Sequence, residues 1–186
     1  MEYHTIDKQY INLQDFIING RILDIGGGGE GIMAQCLGDG IVVIDKRKDE
    51  LEEAPEIGIK IVMDACNLQF LDNTFDHITC FYSLMYMSEA SVKKCLSEAY
   101  RALKSGGCLW IWDAVMSYPA TADVFLAPLD ICFVNGVHTT PTYGISWHKE
   151  QSLESIAQFC EAAGFDVKEK TLINQGVFLK AVKVEL

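Results

Sequence analysis

Basic residues are scarce in this sequence: 15 Lys and Arg stand against 26 Asp and Glu, a formal net charge of −11. Nucleic acid is gripped mainly by clustered Lys and Arg on phosphates, so this balance argues against a nucleic-acid partner. No apolar run approaches the roughly 18 residues of a membrane span, and residues 1–7 lack the basic and apolar regions of a signal peptide. A soluble, cytoplasmic protein without a membrane span is therefore expected. There are only 4 histidines, none near a cysteine at ligand spacing, so no metal site is expected. The 7 cysteines are odd in number, contain no C-x-x-C and mostly sit among apolar neighbours. They read as small core residues in a reducing compartment. With 186 residues and 49% hydrophobic content, the chain suits one domain around one core.

The most informative stretch is residues 21–32, in which Ile22, Leu23 and Ile25 run into four consecutive glycines, Gly26 to Gly29, before apolar residues resume at Ile32 and Met33. That order reads as buried strand, tight turn, helix. Asp24 falls inside the strand, where a carboxylate without a partner is costly, so donors or a polar ligand should meet it. Two readings fit the turn. Gly26, Gly28 and Gly31 satisfy the G-x-G-x-x-G string of a dinucleotide site. Leu23-Asp-Ile-Gly-Gly-Gly28 closely resembles the D-x-G-x-G turn of the class I S-adenosylmethionine-dependent methyltransferases. Asp24 favours the second, because an anion repels a pyrophosphate but attracts an α-ammonium or a sulfonium.

The rest of the chain alternates strand and helix. Residues 10–18 have helix-like apolar spacing, which predicts a leading helix from which Tyr10 could reach the cofactor or which could merely cover the sheet edge. Residues 41–44 are a β-branched strand ending in Asp45, about 20 residues past the glycine turn, where an acid holds ribose hydroxyls; the alternative is a helix N-cap for residues 46–54. Residues 59–63 form a third strand ending at Asp64-Ala65, and 75–82 a fourth that delivers Tyr82. Residues 88–104 are an amphipathic helix, 108–113 a fifth strand, 148–163 a helix and 165–172 a sixth strand. Residues 177–184 read as an antiparallel edge strand because of Lys180 and Lys183. Residues 114–147 break the rhythm, with a helix expected near 122–133, and an insertion of that length suits a substrate lid. The predicted fold is α/β: a Rossmann-like, doubly wound seven-stranded sheet, mostly parallel, with a C-terminal antiparallel hairpin. The whole of 1–186 is taken as a single methyltransferase domain carrying that lid.

The run from Asp64 to Asp76 is similar to the D-A-x-x-L-P-F-x-D-x-x-F-D segment of the ubiquinone- and menaquinone-biosynthesis type within the family, with Gln69 where proline is usual. The resemblance implies S-adenosylmethionine as cofactor, with Asp64 and the Ala65 amide at the adenine. Asp24, Gly26, Gly27, Gly28, Asp45, Lys46 and Tyr82 complete the expected cofactor set. Against the family's D-x-G-x-G-x-G, either Glu30 stands at the third glycine with Gly31 following or the loop holds one inserted glycine; in both cases Glu30 faces the methionine ammonium or solvent at a helix start.

The implied activity is methyl transfer to an O, C or N atom of a small, partly apolar acceptor; the alternative is a catalytically silent cofactor-binding module acting through a partner protein. Tyr118, Tyr143 and Trp147 of the insertion are the expected substrate wall. Should the acceptor need a base, His138 is preferred over His148 and Asp113. A homo-oligomer is compatible with the sequence.

Overall fold

The computed structural model describes residues 1–119 and 121–184. In chain order the elements are β1 (Tyr3–Thr5), β2 (Gln9–Asn12), β3 (Ile22–Ile25), α1 (Ile32–Leu37), β4 (Ile41–Asp45), α2 (Lys48–Glu53), β5 (Ile59–Val62) and β6 (Phe75–Phe81). There follow α3 (Glu89–Ala102), β7 (Leu103–Ala114), β8 (Val124–Cys132), β9 (His138–Thr139), β10 (Thr142–Ile145), α4 (Leu153–Ala162), β11 (Phe165–Ile173) and β12 (Gly176–Lys183).

Seven strands form one sheet in the order β11-β12-β7-β6-β3-β4-β5. The five from β7 to β5 are parallel, and β12 runs antiparallel to both neighbours. All four residues of β3 are buried, as a central strand covered on both faces must be. One face packs Leu23, Ile25, Ile78, Leu109 and Leu179 against α3 and α4. The other packs Ile22, Ile41, Val43 and Trp112 against α1, α2 and a second sheet. Both long helices are capped by serine: Ser88 accepts from the Ser91 amide, and Ser152 forms a capping box with Ser155.

The second sheet differs from expectation. Residues 3–5 and 9–12 are strands, not a leading helix, because their backbone groups pair in parallel with β8. Residues 124–132 are likewise a strand: Phe125, Ala127, Leu129 and Ile131, all fully buried, point into the core at period two. Strands β9 and β10 pair antiparallel with β8. Chain start and insertion thus build one layer together. A third difference concerns β12, which is interior rather than an edge. Its lysines keep their ammonium groups at the margins: Lys180 Nζ lies 4.5 Å from the Trp110 ring centroid, and Lys183 Nζ donates to Leu103 O at 2.8 Å. The edge is β11, protected by exposed Lys168, Glu169 and Lys170. Helix α4 begins at Leu153, so residues 148–151 lie outside it.

The loop from Asp64 to Thr74 is tied down by one side chain. Arg101 of α3 donates to Leu68 O at 2.9 Å, Phe70 O at 2.8 Å, Asp72 Oδ1 at 2.7 Å and Glu98 Oε2 at 2.9 Å, while Glu98 Oε2 also accepts from Leu68 N at 2.8 Å. Two carbonyls and two carboxylates lose the guanidinium donor if it is removed. Arg101→Ala is expected to lower the unfolding free energy by about 2 kcal/mol in urea titration. Amide exchange should accelerate first in residues 66–74, and uniform acceleration across the chain would contradict this assignment.

Candidate active site

The parallel strands end at one edge, where an open α/β sheet holds its ligands. The glycine turn follows β3 there and is packed from below and from both sides. A Cβ added at Gly27 would overlap Asp24 Oδ2. One at Gly28 would lie 2.5 Å from Glu50 Cβ and 3.0 Å from Asp45 Oδ2, and one at Gly26 2.5 Å from Ser83 Cβ. Glycine is required at each position by close approach alone. The turn is fastened by main-chain bonds from Gly26 N to Ile44 O (2.8 Å) and from Gly29 N to Glu50 O (2.8 Å).

Asp24 is 1% exposed and accepts a 2.7 Å hydrogen bond from Thr79 Oγ1. The pairing follows from register, since Asp24 and Thr79 are partners across β3 and β6. Burial raises the Asp24 carboxyl to about 7, Thr79 opposes the rise, and Asp45 adds to it. Asp24 is therefore a buried group under Gly27, coupled electrostatically to the more open acid at the end of β4. Asp45 accepts from Arg47 N at 2.8 Å through Oδ1, while Oδ2 faces Gly28. Asp64 is exposed and accepts from Cys66 N at 2.8 Å, which holds Ala65 buried in the bend between them. Lys46 is exposed, directly after β4.

Tyr82 directly follows β6 at φ 49°, a left-handed conformation that is rare for an aromatic residue. Its amide donates to Trp112 O at 2.8 Å, and its ring stacks on Tyr143 of β10 at 5.3 Å and 20°. The Tyr143 phenol is driven upward in pKa, chiefly by burial, and then by Glu30, Tyr86 and Asp24. Gly144 N donates to Tyr86 Oη at 3.2 Å, which pins β10 to the turn after β6. Strand β10 thus brings Tyr143 toward the glycine turn, with Glu30 beside its phenol.

The remaining candidates are elsewhere. His138 is exposed on β9, its Nδ1 paired with Asp130 Oδ1 at 2.7 Å, and no strand-tip residue is among its hydrogen-bond partners. Tyr118 donates to Trp147 O at 2.9 Å and accepts from Lys149 N at 3.2 Å, while its ring contacts His4, Phe125 and His148. Trp147 is 42% exposed, and Tyr10 is 72% exposed on β2. Asp113 is fully buried and accepts from Met85 N, Ala114 N and Gln151 Nε2. Burial raises it to about 6 against those bonds and the nearby Lys149. Its oxygens hold the turn after β6 in place, and that commitment suits a structural acid better than a base. Lys149 itself is buried, with Nζ on Leu84 O at 2.5 Å.

Sequence reasoning missed Thr79, Glu50, Ser83, Tyr86 and Lys149. Only Thr79 had a readable signal, a polar residue inside an apolar strand alongside Asp24.

Residues 23–111 match a family model described as a methyltransferase domain. Among solved structures the chain is similar to an S-adenosylmethionine-dependent methyltransferase from Mesorhizobium loti (13% identity, TM-score 0.64, covering 91% of this chain and 95% of that one). It is also similar to one from Methanosarcina mazei (18% identity, TM-score 0.62, 88% and 92% covered). A third similar structure is the [4+2]-cyclase SpnF (16% identity, TM-score 0.63, 95% and 76% covered). No curated protein matches the chain. The chain has the fold of these S-adenosylmethionine-dependent methyltransferases, and its residues 23–111 match the methyltransferase-domain model.

The site tolerates such a ligand on its own evidence. A turn stripped of Cβ atoms and the Asp45 Oδ2 facing Gly28 are features that a polar ligand at this edge would use.

The Asp24 carboxyl generates a pH signature. Its folded value of about 7 lies above the ordinary 3.8, so its stabilising contribution is complete below about pH 4 and is lost as pH rises through about 7. Between about pH 5 and pH 8 the native protein is expected to lose about 2 to 3 kcal/mol more unfolding free energy than Asp24→Asn, measured by urea titration at both values. Parallel profiles for the two proteins would contradict a buried, protonatable Asp24.

Proposed function

We propose that this class I methyltransferase transfers the methyl group of S-adenosylmethionine to an O, C or N atom of a small, partly apolar molecule. The observation that carries this reading is the set of acids on the tips of three adjacent strands, Asp24 on β3, Asp45 ending β4 and Asp64 past β5, around a glycine turn with no side chains. Asp45 Oδ2 would accept from the ribose hydroxyls. Asp64 and the Ala65 amide would take the adenine edge, and Gly26 to Gly28 would lie against the amino-acid end, with Asp24 supplying negative potential from beneath. Lys46 and Tyr82 complete the wall on either side.

When bound, the cofactor supplies an electrophilic methyl on a sulfonium. The protein's part is to align the acceptor behind that bond and exclude water, and alignment of this kind can contribute roughly 7 to 11 kcal/mol with no side chain taking a proton. Residues 114–147 provide the cover: β10 carries Tyr143 to the glycine turn, and the Tyr118 hydroxyl ties Trp147 to the Lys149 amide beneath it. We assign this segment as the acceptor wall within one domain. Tyr143 is its inner face, and Tyr118 and Trp147 form its outer support. Because His138 pairs with Asp130 away from the strand tips, alignment rather than a histidine base is asked to carry the reaction.

A fold shared with a protein named as a cyclase does not by itself fix the reaction. Incubation with methyl-labelled S-adenosylmethionine and fractionated metabolites is expected to label a small acceptor. Binding without any transfer across such fractions would instead make the chain a silent cofactor-binding module. Asp45→Ala is expected to weaken S-adenosylhomocysteine binding by about 1.5 to 3 kcal/mol in calorimetry. Unchanged affinity in the folded variant would remove Asp45 from the site.

A further inference from the structure

The sequence holds two Asn-Gly steps, Asn19-Gly20 and Asn135-Gly136, and the fold treats them differently. All four residues are exposed. In such a step the main-chain nitrogen of the glycine can attack the side-chain carbonyl carbon of the asparagine, because glycine has no Cβ to shield its own nitrogen. Asn135 stands at the tip between β8 and β9 with its reacting groups tied down. Its Oδ1 accepts from Val137 N at 3.0 Å, and Gly136 N donates to Phe133 O at 2.8 Å. Attack there requires both bonds to open. Asn19 lies in residues 13–21, between β2 and β3, and neither group is tied: among the described residues its side chain makes no hydrogen bond and the Gly20 N–H has no acceptor. The glycine at this step is also dictated by the fold. Gly20 has φ 119°, and a Cβ there would lie 2.7 Å from Asp76 Oδ2. Asp76 keeps that place because its Oδ2 accepts from Arg21 N at 2.8 Å and its Oδ1 from Lys104 Nζ at 2.6 Å.

We propose that Asn19 is a deamidation site, converted through a succinimide to aspartate and isoaspartate, while the fold protects Asn135. Gly20 N gives up its proton to solvent base and attacks Asn19 Cγ. The new N–Cγ bond forms, the bond from Cγ to the side-chain nitrogen breaks, and that nitrogen leaves with its protons as ammonia. Water then opens the ring at one of its two carbonyls, so one water enters for each ammonia lost and nothing is oxidised or reduced. Opening at the main-chain carbonyl gives isoaspartate, which routes the backbone through the former side chain and lengthens it by one methylene. The lengthening falls just upstream of Arg21, whose carbonyl accepts from Asp76 N at 2.9 Å and His77 N at 3.2 Å, the bonds that start β3 against β6. Isoaspartate at this position therefore weakens the entry to β3. The glycine turn lies at the other end of that strand, so the site of the proposed methyl transfer is not involved.

The test ages the whole protein at mildly alkaline pH, folded and in concentrated urea, and follows both Asn-Gly peptides by mass spectrometry. In the folded protein the Asn19 peptide is expected to gain the mass of an amide-to-acid exchange and to separate into aspartate and isoaspartate forms. Its rate should exceed that of the Asn135 peptide by about 10-fold or more, since two hydrogen bonds must open at the latter. In urea the two rates should converge, because the protection belongs to the fold and not to the dipeptide. Asn19→Gln should remove the change from that peptide and leave Asn135 as before. The isoaspartyl protein should melt below Asn19→Asp, which carries the new charge on an ordinary backbone. No reaction at Asn19 in the folded protein, equal folded rates at the two steps, or a difference that persists in urea overturns the proposal. Equal melting of the isoaspartyl protein and Asn19→Asp overturns the effect assigned to the entry of β3.

Discussion

The structure turns on a steric constraint: the chain leaving β3 must pass between side chains that leave no room for a Cβ. Asp24 occupies the space under Gly27, Glu50 and Asp45 the space at Gly28, and Ser83 the space at Gly26. Each of these belongs to a different element, so the glycines are where β3, β4, α2 and the end of β6 meet. Replacing any one of them with a larger residue would push a strand tip or a helix away from the others. What remains above the turn is bare backbone flanked by carboxylates, a surface that small cationic groups approach closely and that anions avoid.

Around this junction the protein invests in rigidity. Asp24 is placed where burial holds its carboxyl near neutrality, and Thr79 fixes its orientation. Asp113 and Lys149, both buried, hold the turn that follows β6 through Met85 N and Leu84 O. That turn carries Tyr82, Ser83 and Tyr86, so two buried groups that take no part in the proposed chemistry decide where three residues of the candidate site stand. The second sheet is fastened to the same place by the Tyr82–Tyr143 stack and by the Gly144 amide on Tyr86. Strand tips and cover therefore share one set of supports.

The strand, glycine turn and helix of residues 22–37 and the acids at 45 and 64 were readable because they depend on local pattern and on spacing along the chain. Residues 1–18 were not. Tyr10, Leu13 and Ile17 mimic helical spacing, yet Tyr10 and Ile17 are exposed and only Leu13 is buried. What decides the conformation there is pairing with β8, a strand more than a hundred residues away, which no local window contains. Strand β8 does alternate, with Phe125, Ala127, Leu129 and Ile131 inward, but Pro128 and its place in an insertion masked the pattern. The same limit applies at the site. Glu50, Ser83 and Lys149 acquire meaning only from neighbours brought together by the fold, and the alternating Lys180 and Lys183, whose ammonium groups reach the margins, concealed that β12 has a strand on each side.

The central claim is that the acids on three adjacent strand tips and the glycine turn between them form one cationic-nucleoside site. A crystal structure of the protein with S-adenosylhomocysteine tests it most directly. The account predicts Asp45 Oδ2 on the ribose hydroxyls, Asp64 at the adenine amine, and the sulfur directed toward Tyr143. Density showing the ligand bound away from the glycine turn, or these carboxylates turned from it, would contradict the account.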